Sequence, residues 1–540
     1  MLFRKYMNIL KRVISVLAGS ILCEFSLFAS EDRVDLKPLE KYEDIPDRTG
    51  AKKAKPLDAA QKDAKVFFFK SVDLQGCTVL SRKVQDRLVK PYLRKKLCLN
   101  DINDLIAAVH KAYADAGYVL EDVYFKRESF KKPGYLVVFL VEPKVRSLRI
   151  FESKKRGRRV NNLMELKPNE VLKVVDVQCA LDTLKELETT AYDFRLNTDS
   201  KRTWHTTDVA LKRNKKCIFG LGYDNQGSES TGRDRYTVQA RAEDVLGLFE
   251  QWRFLHITTR KPFSKERYSQ TSLVSLSVPY KRWRASFYGI FEKDKHPLGN
   301  VSSKTEQVQL GVDLRYALSR TWDSGTYVGS TLEHYSKIYS LDNHWIGARS
   351  GDATKLILWG SHYVYVWGGV IWGKLSYSQG IHASDAWTTN EAFNKNFKKL
   401  NFDGFFQRKF GERWRWIISG EAQVGEPRIF NHEKISLGGM STVRGFVDTQ
   451  YKACSGYFVR NELEYLLFNK FSTKFFMGYD YGHLSPSKED DALREKSLQS
   501  ICCGVRLNVK DVNVEMLMAR PIHTVQSNRY TFLFGIKGEF

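Results

Sequence analysis

Beyond its N-terminus the chain has no apolar run of 18 residues, and so no candidate transmembrane helix. It also lacks the arrangements on which catalysis or metal binding usually rests. Its 11 histidines form no HExxH and no close pair, and no nucleophile elbow is present. Gly220-Leu221-Gly222 lacks the third glycine and following helix of a phosphate loop. No active site, metal or cofactor is expected. Of the 8 cysteines, Cys77, Cys98, Cys179, Cys217, Cys454, Cys502 and Cys503 lie past the first thirty residues, with no CxxC spacing. In an exported chain Cys77–Cys98 is the pair expected to bridge, although spacing alone leaves connectivity open, and the others read as small buried hydrophobes. Acidic residues are short in supply, 62 against 86 Lys and Arg, for a net charge of +24. That excess is spread along the chain rather than gathered into a stripe, which suits anionic lipid headgroups or an acidic client better than nucleic acid.

Charged residues make up 27% of the chain and mean hydropathy is −0.41. These values look soluble, but a transmembrane β-barrel gives the same ones, because its lumen is polar and only alternation betrays it.

Export is legible at the N-terminus. Arg4, Lys5, Lys11 and Arg12 precede an apolar stretch, Val13–Cys23, too short to span a bilayer, and Leu27-Phe28-Ala29 offers a cleavage site. Residues 1–30 therefore read as a signal peptide, without a lipoprotein cysteine because Leu22 is too bulky beside Cys23. Residues 31–65, with Pro38, Pro46, Pro56 and dense charge, form a linker in which only Leu57–Lys65 could make a short helix.

Residues 66–143 read as strand, two helices and two strands. Val66–Leu74 closes on Gly76, and Leu80, Val84, Leu88 and Tyr92 share a helical face. Asn100 is the expected cap of a second helix carrying Ile102, Leu105, Ile106, Val109, Tyr113 and Ala116, which Gly117 ends. Strands are expected at Tyr118–Phe125 and Tyr135–Val141. Residues 144–213 repeat the order: Val145–Phe151, a helix over Val175–Leu187, then Tyr192–Leu196 and Thr206–Leu211. The outcome is two small α+β modules in tandem.

From about Lys216 the period becomes two. Tyr236, Val238, Ala240 and Ala242 alternate with Thr237, Gln239, Arg241 and Glu243, and Val308–Tyr316 behaves likewise. Lys293–Thr305 and His382–Lys398 read as long polar loops, whereas Pro279–Lys281 is a tight turn, the asymmetry of an outer-membrane barrel. Trp252, Tyr280, Trp283, Trp359, Trp367 and Trp372 suit aromatic girdles. Residues 214–540 have room for about 16 antiparallel strands.

Within that half lies Leu437-Gly438-Gly439-Met440-Ser441-Thr442-Val443-Arg444-Gly445-Phe446, followed by Asp480-Tyr481-Gly482 and a C-terminal Phe540. Together with Tyr223-Asp224-Asn225-Gln226-Gly227, Ser230-Thr231-Gly232 and Ala519-Arg520-Pro521-Ile522, these residues make the chain resemble two-partner secretion transporters of the TpsB type. These are the haemolysin secretion/activation proteins of the superfamily that joins POTRA modules to an outer-membrane barrel. The resemblance covers residues 65–540.

The resemblance implies two periplasmic POTRA domains, a barrel of 16 strands, and an outer-membrane pore that captures a large exported partner and translocates it unfolded to the cell surface of a Gram-negative-type bacterium. It implies that the Val443-Arg444-Gly445-Phe446 loop folds back into the lumen, with Arg444 paired to Asp480. It further implies that Phe534, Ile536 and Phe540, on one face of the last strand, form the signal read by the barrel-assembly machinery, while the outer face meets outer-membrane lipid. The family's plug segment would fall in the linker 31–65, which shows no amphipathic helix. Two rivals stand beside this reading: a barrel-assembly insertase of the same superfamily, and a passive porin or adhesin.

Overall fold

The computed structural model describes residues 67–540 except 121, 126–133, 143, 151–161, 164–169, 172, 188–189, 199–203, 214–216, 260–265, 322, 382–394, 447–450, 469–471, 486–496 and 523–529. The signal peptide and linker lie outside the described residues. The chain divides into two units, an α+β one ending at Asn214 and a barrel that follows from Lys215.

In the first unit, β1 (Phe67–Gln75), α1 (Arg82–Val89), β2 (Lys96–Leu97), α2 (Leu99–Asp115), β3 (Asp122–Phe125) and β4 (Gly134–Val141) follow one another. They form a sheet of order β2-β1-β4-β3 in which only β1 and β4 run parallel. The apolar stripe of α2 (Ile102, Leu105, Val109, Tyr113) packs on Leu136, Val138 and Leu140 of β4, burying both faces. Glu142, at the end of β4, is buried but fully used. It accepts from the Thr78 and Val79 amides at 2.7 and 3.2 Å and from Tyr113 Oη at 2.6 Å, so it ties the loop after Gly76 to α2. Burial, with Cys77 and Glu142 beside it, pushes the Tyr113 phenol above its ordinary value.

Three expectations change here. Cys98, not Asn100, occupies the cap of α2; its amide donates to Asp101 Oδ2 at 2.7 Å, a carboxylate one turn in that serves the helix start better than an amide inside it. Cys77 and Cys98 are not bridged; the Cys77 thiol accepts instead from Tyr113 Oη at 3.2 Å. The strand expected from Tyr118 begins only at Asp122, because Gly117 takes φ +77° and Tyr118 turns to bridge Lys173. Cys179, Cys454 and Cys502 are buried as expected, whereas Cys217 is exposed.

The same unit continues with β5 (Lys144–Ile150), α3 (Val174–Lys185), β6 (Thr190–Thr198) and β7 (Trp204–Arg213) in a sheet of order β5-β7-β6. Here too the first strand is parallel to the central one.

The barrel is closed by sixteen antiparallel strands, from Cys217–Asp224 to Thr531–Glu539. Its alternation is inverted relative to a soluble protein. Along Arg235–Glu243, Tyr236 and Val238 face outward and are exposed, while Gln239, Arg241 and Glu243 are buried inside. The pattern repeats in Val301–Arg320, where Val312 and Leu318 are exposed and Asp313 is buried.

Two barrel expectations are corrected. Lys293–Thr305 is no loop: Trp283–Leu298 and Val301–Arg320 pair without a break from Trp283↔Tyr316 to Leu298↔Val301. Both faces of that outer stretch are polar, so the period-two signal vanishes although the hydrogen-bond ladder continues. Trp359 and Trp372 sit in strand interiors on the inward-facing parity rather than in a girdle. Trp359 is buried and its Nε1 donates to Asp313 at 2.9 Å. Trp252, Tyr280, Trp283 and Trp367 are exposed on the outside.

Candidate functional site

Strands Trp414–Gly425 and Ser455–Phe468 are joined by residues 426–454, which contain a small two-stranded ribbon, Ile435–Leu437 paired with Tyr451–Ala453. This loop lies against the inner face of the wall. The residues it meets share the inward parity of their strands: Arg460, Glu462 and Glu464 on one, Phe476, Gly478, Asp480, Gly482 and Leu484 on the next (Thr473–Ser485), and Leu498, Ser500, Cys502 and Arg506 on the third (Ser497–Val509). Between them Met477, Tyr479 and Ile501 point outward and are exposed.

Arg444 is 1% exposed and every nitrogen of its guanidinium is engaged. Nε and Nη2 donate to the two oxygens of Asp480, each at 2.7 Å, and Nη1 donates to Glu462 Oε2 at 2.7 Å. The Arg444 amide adds a bond to Asp480 Oδ2 at 3.1 Å. The fork of a guanidinium matches the two carboxylate oxygens, which a lysine could not do. The pairing extends along the wall. Arg506 binds Glu462 and Glu464, and Arg415 binds Glu464, a chain of ion pairs that reaches from Arg415 to Arg506, two strands beyond Glu464. Arg460 Nη1 reaches the loop backbone itself, donating to the Met440 carbonyl at 2.8 Å. Stripping water from isolated ions costs several kcal/mol each, and only a fully satisfied network of this kind offsets it.

The fit is also steric. Gly478 faces Glu462 across the ladder, and a Cβ there would stand 2.5 Å from Arg444 Nη2 and 2.8 Å from Cys502 Sγ. The missing side chain is the slot for the guanidinium. At Gly482 a Cβ would stand 2.7 Å from Leu437 and 3.1 Å from Val443, so the second glycine is a seat for the loop. Val443 and Phe446, both buried, complete an apolar cluster with Leu437, Leu484 and Leu498. Gly445 takes φ +96°, and Thr531 Oγ1 donates to its carbonyl at 3.0 Å.

Structure thus brings Arg444 and Asp480 together and places Val443 and Phe446 in packing contacts. Glu462, Arg460 and Gly478 belong to the same site but carry no local motif; only strand register shows them. The three terminal aromatic-strand residues lie elsewhere: Phe534, Ile536 and Phe540 share the outward parity of the last strand, and the Phe540 ring stands 3.0 Å from where a Gly538 Cβ would be. Phe540 also closes the barrel, its amide donating to the Phe219 carbonyl at 2.7 Å. Asn225 extends that seam beyond the last backbone pair: its Oδ1 accepts from the Phe534 amide at 2.8 Å and its Nδ2 donates to the Phe532 carbonyl at 3.1 Å.

A POTRA-type unit before a closed barrel of inverted polarity, with a charged loop held inside, defines a class: the transporters of the bacterial outer membrane, with their POTRA modules in the periplasm. Within that class the chain belongs to the haemolysin secretion/activation protein ShlB/FhaC/HecB family, whose model matches residues 206–507, while an ShlB-type POTRA domain matches residues 67–142. It is accordingly an outer-membrane transporter of two-partner secretion. It is similar to the outer membrane transporter CdiB of Escherichia coli, 23% identical over 426 residues that cover 77% of this chain and 71% of that one. To CdiB of Dickeya dadantii it is 20% identical over 472 residues, 84% of this chain and 83% of the relative. Among solved structures, CdiB from Escherichia coli has a TM-score of 0.82 at 20% identity, covering 90% of this chain and 93% of that one. CdiB from Acinetobacter baumannii gives 0.72 at 14%, covering 98% and 97%.

Proposed function

We propose that this transporter captures a large exported partner protein through its two modules and passes it, unfolded, through the barrel to the cell surface, the loop bearing Arg444 shifting to clear the way. Residues 1–30 then act as signal peptide and 31–65 as linker. Residues 66–143 and 144–213 are the two POTRA domains, and 214–540 the barrel. The single observation carrying this reading is the buried Arg444–Asp480 fork, an ionic fastening on a loop that lies where a client would thread. A loop needed only for stability would be held as well by apolar residues.

Capture fits strand addition, in which main-chain hydrogen bonds give affinity and alternate side-chain pockets give specificity. Among the described residues, β3, β5 and β6 are edge strands of the two sheets, each paired on one side. The outward aromatic face of the last strand, Phe534, Ile536 and Phe540, serves as the signal for the barrel-assembly machinery and then meets lipid. No nucleotide motif is present in the sequence, so folding of the client outside supplies the drive. The test is Arg444→Ala. The variant is expected to insert as a heat-modifiable barrel yet to release much less partner into the medium; undiminished release would remove Arg444 from the mechanism.

A further inference from the structure

The loop that bears Arg444 is fastened a second time, at a point eleven residues earlier and on a different arc of the wall. Glu433 is 2% exposed. Its carboxylate lies 2.5 Å from Lys355 Nζ and 2.7 Å from Lys399 Nζ, and its carbonyl accepts from Lys399 Nζ at 3.0 Å and from Gln423 Nε2 at 2.9 Å. Lys355 is shared with Glu333 at 2.5 Å, and Glu333 in turn accepts from Tyr288 Oη at 2.7 Å. His432, next in the loop, stacks on Tyr335 with ring centroids 3.4 Å apart. Lys355 and Asp480 belong to strands five apart in the ring of sixteen.

We propose that Glu433 is a positioning residue for transport: it holds the first limb of the loop, so the loop clears the pore only when both ionic anchors part. This rests on the transport reading given above. Two features point to a releasable fastening. A buried carboxylate clasped by lysines is a poor way to gain stability, since desolvation offsets most of the attraction. Lysine ammoniums are compact, strongly hydrated and carried on flexible stems, so water entering the lumen can take them back one at a time. The Arg444 fork by contrast is rigid and two-pronged. With Arg444 detached, Glu433 still tethers the upstream limb; with Glu433 detached, Arg444 still seats the downstream one.

The experiment uses the full-length protein in planar bilayers, where opening is read as current without any client. Variants are Arg444→Ala, Glu433→Gln, the two combined, Lys355→Gln as an attack on the same anchor from the wall, and Glu433→Asp as the conservative replacement. The double variant is expected to spend about tenfold more time in a large-conductance state than either single one, the coupling of two sites that bias one two-state element. Lys355→Gln should behave as Glu433→Gln does, and Glu433→Asp should restore wild-type gating. A nitroxide at Asn431 should gain mobility in Glu433→Gln and lose it again in Glu433→Asp. If the double variant gates no differently from Arg444→Ala alone, the second anchor is refuted. If all folded barrels, wild type included, stay closed to current, the pore reading itself falls and takes this inference with it.

Discussion

What Gly478 contributes is the absence of a single atom. Beside it the guanidinium of Arg444 finds room between Asp480 and Glu462, and the side-chain-free wall turns a surface ion pair into a buried one. Gly478→Ala is expected to prise Arg444 from its partners and to cost about 3–5 kcal/mol, the range for leaving one partner of a buried pair exposed to mismatch. The readout is the temperature at which the folded band gives way to the unfolded one on a denaturing gel. Gly360→Ala, where the nearest atom lies 3.9 Å away, is the control and should leave that temperature unchanged. A barrel that keeps its wild-type transition with Gly478→Ala would show that the guanidinium does not need the slot. Arg444 and Asp480 were legible in the sequence because each sits in a short motif with glycine beside it. Glu462 and Arg460 were not, because each is an ordinary charged residue in an alternating strand until register sets it against the loop.

Among the elements, α2 joins stability to pH. Burial holds the His110 imidazole below its ordinary pKa, an effect that Asp122 partly offsets. A histidine kept neutral by the fold contributes stability that is present above its unfolded value of about 6.5, and that is lost as pH falls through that value toward the lower folded one. Amide protection in α2 should therefore weaken as pH falls below about 6.5, and His110→Gln should flatten that dependence. An unaltered slope in the variant would assign the effect to another group. Helix α2 itself was readable from its apolar spacing, but its cap was not. Asn100 has the better capping side chain, yet Asp101 satisfies the Cys98 amide and fixes the start one residue pair earlier. The hairpin Trp283–Arg320 escaped for the opposite reason: its outer half has no hydrophobic face, and backbone pairing leaves no mark in composition.

At the scale of the whole molecule, the two rival mechanisms differ in what the seam must do. An insertase needs the first and last strands to part, whereas a secretion pore keeps them joined while its lumen clears. Tyr223 and Ile536 face each other across that seam. Cysteines at these two positions, oxidised to a disulfide, are expected to leave partner release at its reduced level; loss of release on oxidation, restored by reductant, would favour the insertase. The order of modules and barrel was legible because each has its own period, and strand number because a strand and its connection together average about 20 residues over 214–540. The lengths of the strands were not. They run from 8 residues in the first barrel strand to 20 in the sixth. An apolar belt is covered by about 10 tilted residues, so roughly six pairs of the Trp283–Arg320 hairpin stand beyond it, ending at Gly299 and Asn300. Strands that leave the periplasm on odd count put that ribbon outside the cell. It is thus a stretch whose polar residues face the medium, where substitutions leave the Arg444–Asp480 fork and the wall around it untouched.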